Sequence, residues 1–153
     1  MLSVTSYTVN DGNGGLNYTV TVVTNNLGVI SWIFAFTPLK SPANLGSAVP
    51  IAWTLQNASG GFISDLSTLI KLESVFNGAA PKTGCVASLV GSSQTLYSLP
   101  NGSTGNSNFR MVSNGFQFNW DTTTATATGP GCYTVKITLN DGTSKMTNAV
   151  QLK

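Results

Sequence analysis

The last third of the chain constrains the fold most. Phe116-Gln-Phe-Asn-Trp-Asp-Thr, Gly131-Cys-Tyr-Thr-Val-Lys-Ile-Thr-Leu and the closing Asn148-Ala-Val-Gln-Leu-Lys read as three β-strands separated by turns. Phe116, Phe118 and Trp120 alternate with Gln117 and Asn119, and Tyr133, Val135, Ile137 and Leu139 alternate with Thr134, Lys136 and Thr138. A period of two sends successive side chains to opposite sides of a pleated strand, so each strand buries one face only. Asn140-Asp-Gly-Thr is a tight-hairpin signal, because Asp-Gly takes the positive φ angles that a two-residue turn demands. The ending is therefore expected to be an antiparallel meander with Phe116, Phe118, Trp120 and Tyr133 in the core.

The same reading extends upstream. Residues 3–9 and 16–23 alternate around Asp11-Gly-Asn-Gly-Gly, which predicts a hairpin placing Tyr7 and Val9 against Leu16, Tyr18, Val20 and Val22. Asp11 and Asn13 have the spacing of a calcium loop, but no downstream Glu completes the ligand set and turn chemistry accounts for both. Ile30, Trp32, Phe34 and Phe36 give the next strand one apolar face, and Ile33 and Ala35 make the other face half apolar. Tyr7, Val9 and Trp32 are accordingly candidate interface residues. After the proline-broken connector Thr37-Pro-Leu-Lys-Ser-Pro, alternation resumes with Val49, Ile51, Trp53 and Leu55, which adds Trp53 to the core aromatics. Ser64 to Leu69 is read as a helical turn leading into a strand through Ile70, Leu72 and Ser74. Residues 77–84 and 91–108, rich in Gly, Ser, Asn and Pro, are read as loops on either side of a short strand from Val86 to Val90.

About eight short strands with frequent turn signals and no long helical pattern indicate an all-β fold, a two-sheet antiparallel β-sandwich of immunoglobulin-like topology. A closed barrel is the alternative. The expected division is an N-terminal β-hairpin or strand extension over 1–35, packing on the sandwich or donated from it, and the sandwich itself over 36–153.

Of the 153 residues 41% are hydrophobic and only 8% charged, against roughly 25% charged in an average soluble protein. Thr, Ser, Asn and Gly take the place of charge, a surface that suits polar turns and an extracellular or cell-surface setting. The net charge is +2 and the seven basic residues are scattered singly. Without a basic patch to collect phosphates, nucleic acid is excluded as an expected partner. No apolar run reaches the roughly 20 residues of a membrane-spanning helix. Met1 to Thr5 lacks the positive start and apolar segment of a secretory leader. A removed leader, an excised domain or another route such as virion assembly all fit that start.

Cys85 and Cys132 stand too far apart for a CxxC redox motif, and two thiols without histidine cannot make a structural zinc site. A single disulfide across the core is the leading reading, and two buried reduced thiols the other. Such a bridge would stabilise by roughly 4 kcal/mol on the chain-entropy account.

From Phe36 to Lys153 the order of landmarks resembles the PxKF domain, an immunoglobulin-like module of secreted and surface-attached bacterial proteins. The matching pieces are Phe36-Thr-Pro-Leu, Gly46-Ser-Ala-Val-Pro-Ile-Ala-Trp-Thr-Leu, Asp65-Leu-Ser, Cys85, Phe118-Asn-Trp-Asp-Thr, Gly131-Cys-Tyr-Thr-Val, Leu139-Asn-Asp-Gly-Thr and Val150-Gln-Leu-Lys. They span about three quarters of the chain. Pro50-Ile-Ala-Trp departs from the motif that names the family, so its lysine is missing while an aromatic remains. The resemblance implies a cysteine pair and a spacer or adhesion role, with no active site to carry over.

The chemistry available is narrow. With no histidine, Ser-His-Asp and Cys-His arrangements are excluded. Asp11, Asp65, Glu73, Asp121 and Asp141 are the only acids, and each has a local structural explanation in a turn or strand. Glycine-rich phosphate loops are absent, and no cofactor or metal is expected. Trp53 and Trp120 complete apolar alternations, which favours a core role over sugar stacking. Lys71 and Glu73 are read as surface residues in preference to members of an internal isopeptide bond. The expected function is thus a non-catalytic structural or adhesive module, not an enzyme, acting through protein-protein contacts. One alternative is a self-assembling fibre or virion-coat subunit that uses its N-terminal strand for strand addition, with copies of itself as neighbours. The other is a carbohydrate-binding module with glycan ligands.

Overall fold

The computed structural model describes residues 32–105, 107–123 and 126–153. The expected hairpin carrying Tyr7 and Val9 lies outside them. Ten strands are described: β1 (Ile33–Thr37), β2 (Ala48–Gln56), β3 (Leu69–Gly78), β4 (Ser92–Ser98), β5 (Gly102–Ser103), β6 (Asn108–Val112), β7 (Gly115–Asp121), β8 (Gly131–Leu139), β9 (Ser144–Met146) and β10 (Val150–Leu152). They form two sheets, the first ordered β1-β2-β7-β6 and the second β10-β8-β3-β4-β5, with β9 also paired to β8. This is a sandwich and not a closed barrel. Strand by strand the order matches the ABED and GFC sheets of an immunoglobulin-like domain, with β4 added beside the C strand.

The core lies between the sheets and is built by the alternation expected of β2, β7 and β8. Antiparallel register pairs Val49 with Trp120, Ile51 with Phe118 and Trp53 with Phe116. All six are buried, together with Tyr133, Val135, Ile137 and Leu139 from the facing sheet. An aromatic path crosses the interior: Trp53 stacks on Phe109 and Phe116, each at 5.6 Å between ring centroids, and Trp120 meets the edge of Tyr133 at 5.7 Å. The Tyr133 hydroxyl donates to the Gly129 carbonyl at 2.6 Å and accepts the Gly129 N–H at 3.0 Å. It thereby pins the corner through which the chain crosses between sheets, as the tyrosine of an immunoglobulin E–F corner does.

Several expectations are corrected. The strand β1 runs across the expected boundary at residue 36, its Phe34 and Phe36 pairing with Leu55 and Trp53. Val86 to Val90 is no strand; Val86 and Val90 are 78% and 83% exposed, and their apolar character reflects display rather than burial. Conversely, the stretch read as loop over 91–108 contains β4 and β5 and the first residue of β6. In β4, Leu72 of β3 faces Tyr97 while the next β3 residue, Glu73, faces Thr95, leaving Leu96 as an extra, bulged residue. That bulge turns both Leu96 and Tyr97 inward and erases the two-residue period on which a sequence reading depends. The β8–β9 hairpin has three loop residues in place of two: Leu139 bonds to Thr143, Gly142 N–H donates to Leu139, and only Gly142 takes a positive φ, at 81°. Asp141 instead accepts the Thr143 N–H, at 2.8 Å. Ser64 to Leu69 does contain a single 3₁₀ turn, Leu66–Thr68, capped by Asp65.

Candidate functional site

The two outer faces of the sandwich differ in kind. On the second sheet the outward residues are Lys71, Glu73, Val75 and Asn77 of β3 and Cys132, Thr134 and Lys136 of β8, as the pairing of Glu73 with Lys136 and Val75 with Thr134 requires. The β3–β4 loop, residues 79–91, is fastened over this face at Cys132, Thr134 and Asn77. Cys85 in that loop is disulfide-bonded to Cys132. The Ser88 N–H donates to the Thr134 hydroxyl at 3.0 Å, which in turn donates to Asn77 Oδ1 at 2.8 Å. Asn77 Nδ2 donates back to the Ser88 and Val90 carbonyls at 3.0 and 3.2 Å.

The disulfide expected between Cys85 and Cys132 is present, but the expectation that it crosses the core is corrected. Tyr133 and Val135 point into the core, so Cys132, one step away on β8, points outward and ties a loop to the sheet exterior. An immunoglobulin-type bridge would instead join two strands through the interior.

The outer face of the first sheet carries no such cover among the described residues. Register builds it in rows: Ala35 beside Thr54, Thr37 beside Ala52 and Gln117 with Arg110, Pro50 beside Asn119, and Ala48 beside Asp121. On β1 and β2 these side chains are small. On β7 and β6 they are polar and linked, Arg110 Nη2 donating to Gln117 Oε1 at 3.1 Å and Gln117 Nε2 to Asn119 Oδ1 at 3.0 Å. A shallow groove of about 410 Å³ runs along the small-residue side, lined by Ala35, Thr37, Ala52, Thr54, Val112 and Gly115 among others. Gly115 is required there, because a Cβ would sit 2.5 Å from the Trp53 carbonyl oxygen.

The acids among the described residues are committed to local structure. Asp65 accepts the Ser67 N–H at 2.9 Å. Glu73 takes Lys71 at 2.7 Å and lies 3.9 Å from Lys136. Asp121 accepts from the Thr123 hydroxyl at 3.3 Å, and Asp141 holds the β8–β9 turn. Among the described residues no three of His, Cys, Asp and Glu cluster as a metal site would require. The backbone N–H and hydroxyl of Ser67 hold the Asp65 carboxyl below its ordinary value, while burial pushes the Tyr97 phenol up.

Of the residues singled out in the sequence, Trp53, Phe116, Phe118, Trp120 and Tyr133 come together in one buried cluster. None of these rings, nor Tyr97, is open for a sugar to stack on. Trp32 packs half-buried against the same cluster. The outer-face ladder and the covering loop were not singled out, since small and polar residues on an outward face carry no periodic signal of their own. No protein-family model matches the chain, and no curated protein matches it.

Proposed function

We propose that the chain is a non-catalytic structural or adhesive β-sandwich module of an extracellular or cell-surface assembly, working by contact through the outer face of its first sheet. The observation that carries this reading is the contrast between the two faces: one is covered by a disulfide-bonded loop, the other presents small side chains and a polar ladder on a rigid sheet. Such a surface lets another body approach closely without displacing large side chains. The disulfide suits an oxidising compartment, and the resemblance to PxKF modules points the same way.

Beads coated with the chain and flowed over a surface carrying the same chain, a cell-surface preparation or a glycan panel test the reading. Retention is expected with the wild type and lost with Ala52→Arg, which fills the groove with a charged side chain but leaves the unfolding midpoint unchanged. Retention on the chain itself identifies a fibre or coat subunit, and retention on one glycan class a carbohydrate-binding module. Turnover of a glycan, ester or peptide that disappears on substituting one acid would overturn the proposal.

A further inference from the structure

The β3–β4 loop is held down at few points and closed at its base. Phe76 pairs with Ser92 where the β3–β4 ladder ends, so the two ends of the loop are clamped whatever the loop itself does. Gly91 packs so tightly there that a Cβ would lie 2.0 Å from the Phe76 carbonyl oxygen. Above this base, the loop is attached by the Cys85–Cys132 bond and by the neutral hydrogen bonds among Asn77, Ser88, Val90 and Thr134. It gains little from burial, since Val86, Leu89 and Val90 are all exposed. Neutral hydrogen bonds exchanged with water contribute modestly, and ordering a long connection costs backbone entropy at every residue. Without the covalent tie the balance favours release.

We infer that the disulfide is a redox latch. Oxidised, it holds the loop over the second sheet; reduced, the loop lifts away and uncovers Val75 and Thr134, while the sandwich stays folded. The core does not depend on the bond, because neither cysteine belongs to the inter-sheet cluster and the strands on both sides of the loop remain paired to each other. Opening is therefore a local event of the kind that loops with few buried contacts undergo.

A dithiol supplies the electrons. Its thiolate attacks the sulfur of Cys85, the more exposed partner, and Cys132, only 3% exposed, leaves as thiolate and takes a proton from solvent. The second thiol of the reductant then displaces Cys85 from the mixed disulfide. Two protein thiols and one oxidised dithiol result, for two electrons and two protons transferred.

Hydrogen exchange of the full chain, oxidised and after treatment with dithiothreitol, tests the latch. The expected result is loss of protection across 79–91, the Ser88 amide included, with protection retained over Phe116–Asp121 and Gly131–Leu139. Cys85→Ala should show the open pattern without reductant. Three outcomes overturn the inference: loss of protection throughout the chain, which would make the bond a support of the whole sandwich; an unchanged loop after reduction, which would leave the hydrogen bonds as the true fastening; or a disulfide that dithiothreitol cannot reduce in the folded chain.

Discussion

Single residues carry unequal weight. Trp120 is fully buried between Val49 on the neighbouring strand and the edge of Tyr133 on the facing sheet, so truncating it leaves a cavity that both sheets line. Trp120→Ala is expected to destabilise by about 3–5 kcal/mol, a large part of the roughly 5–15 kcal/mol that a domain of this size has in total. The measurement is a denaturant titration, with a lower midpoint and an unchanged slope; a wild-type midpoint would mean that the β7 register is wrong. Trp120 was recognisable from its neighbours two positions away. Leu96 was not, because its inward orientation comes from a bulge, and a bulge is defined by the partner strand.

At the scale of elements, the loop over the second sheet shows how much one polar side chain can organise. Asn77 uses both ends of its amide, accepting from Thr134 and donating to two loop carbonyls. Removing it deprives the fully buried Thr134 hydroxyl of its acceptor, a penalty of about 1–3 kcal/mol, while the Ser88 and Val90 carbonyls can turn to water. Asn77→Ala is expected to speed exchange of the 79–91 amides with the disulfide intact, while the strand amides stay as slow as in the wild type. Equal acceleration everywhere would show that the loop and sheet open together. From sequence this segment looked like a loop with a strand inside it, since Val86 and Val90 have the spacing of a strand's buried face. Nothing local distinguishes an apolar pair that is buried from one that is displayed.

For the molecule as a whole, the scarcity of charge shapes the response to pH. Asp65 sits below its ordinary 3.8 because Ser67 bonds to the carboxylate in the fold, so its contribution is present above that value and lost as pH falls through the lower folded value. Tyr97 is shifted above its ordinary 10.0 by burial. Its contribution is complete below that value and is lost as pH rises towards the folded one, since the unfolded chain releases the phenol proton first. With no histidine to titrate between these limits, unfolding midpoints measured across pH should form a plateau with an acid and an alkaline edge. Tyr97→Phe should soften the alkaline edge, and a slope through the middle of the plateau would contradict this account.

Strict alternation in the sequence was enough to read an all-β fold and the inward faces of β2, β7 and β8, which carry Trp53, Phe116, Phe118, Trp120 and Tyr133, while the choice of sandwich over closed barrel came from how the strands pair into two sheets. The sequence also brought forward Cys85 and Cys132 as a pair. Tertiary structure alone decided where that pair lies, because its position depends on which face of β8 Cys132 occupies and on a loop whose path no local preference sets. It likewise decided the bulge in β4 and the face of the first sheet that the described residues leave uncovered. Those features arise from register between strands distant in sequence, and a face of small residues becomes a surface only when its neighbours are aligned beside it.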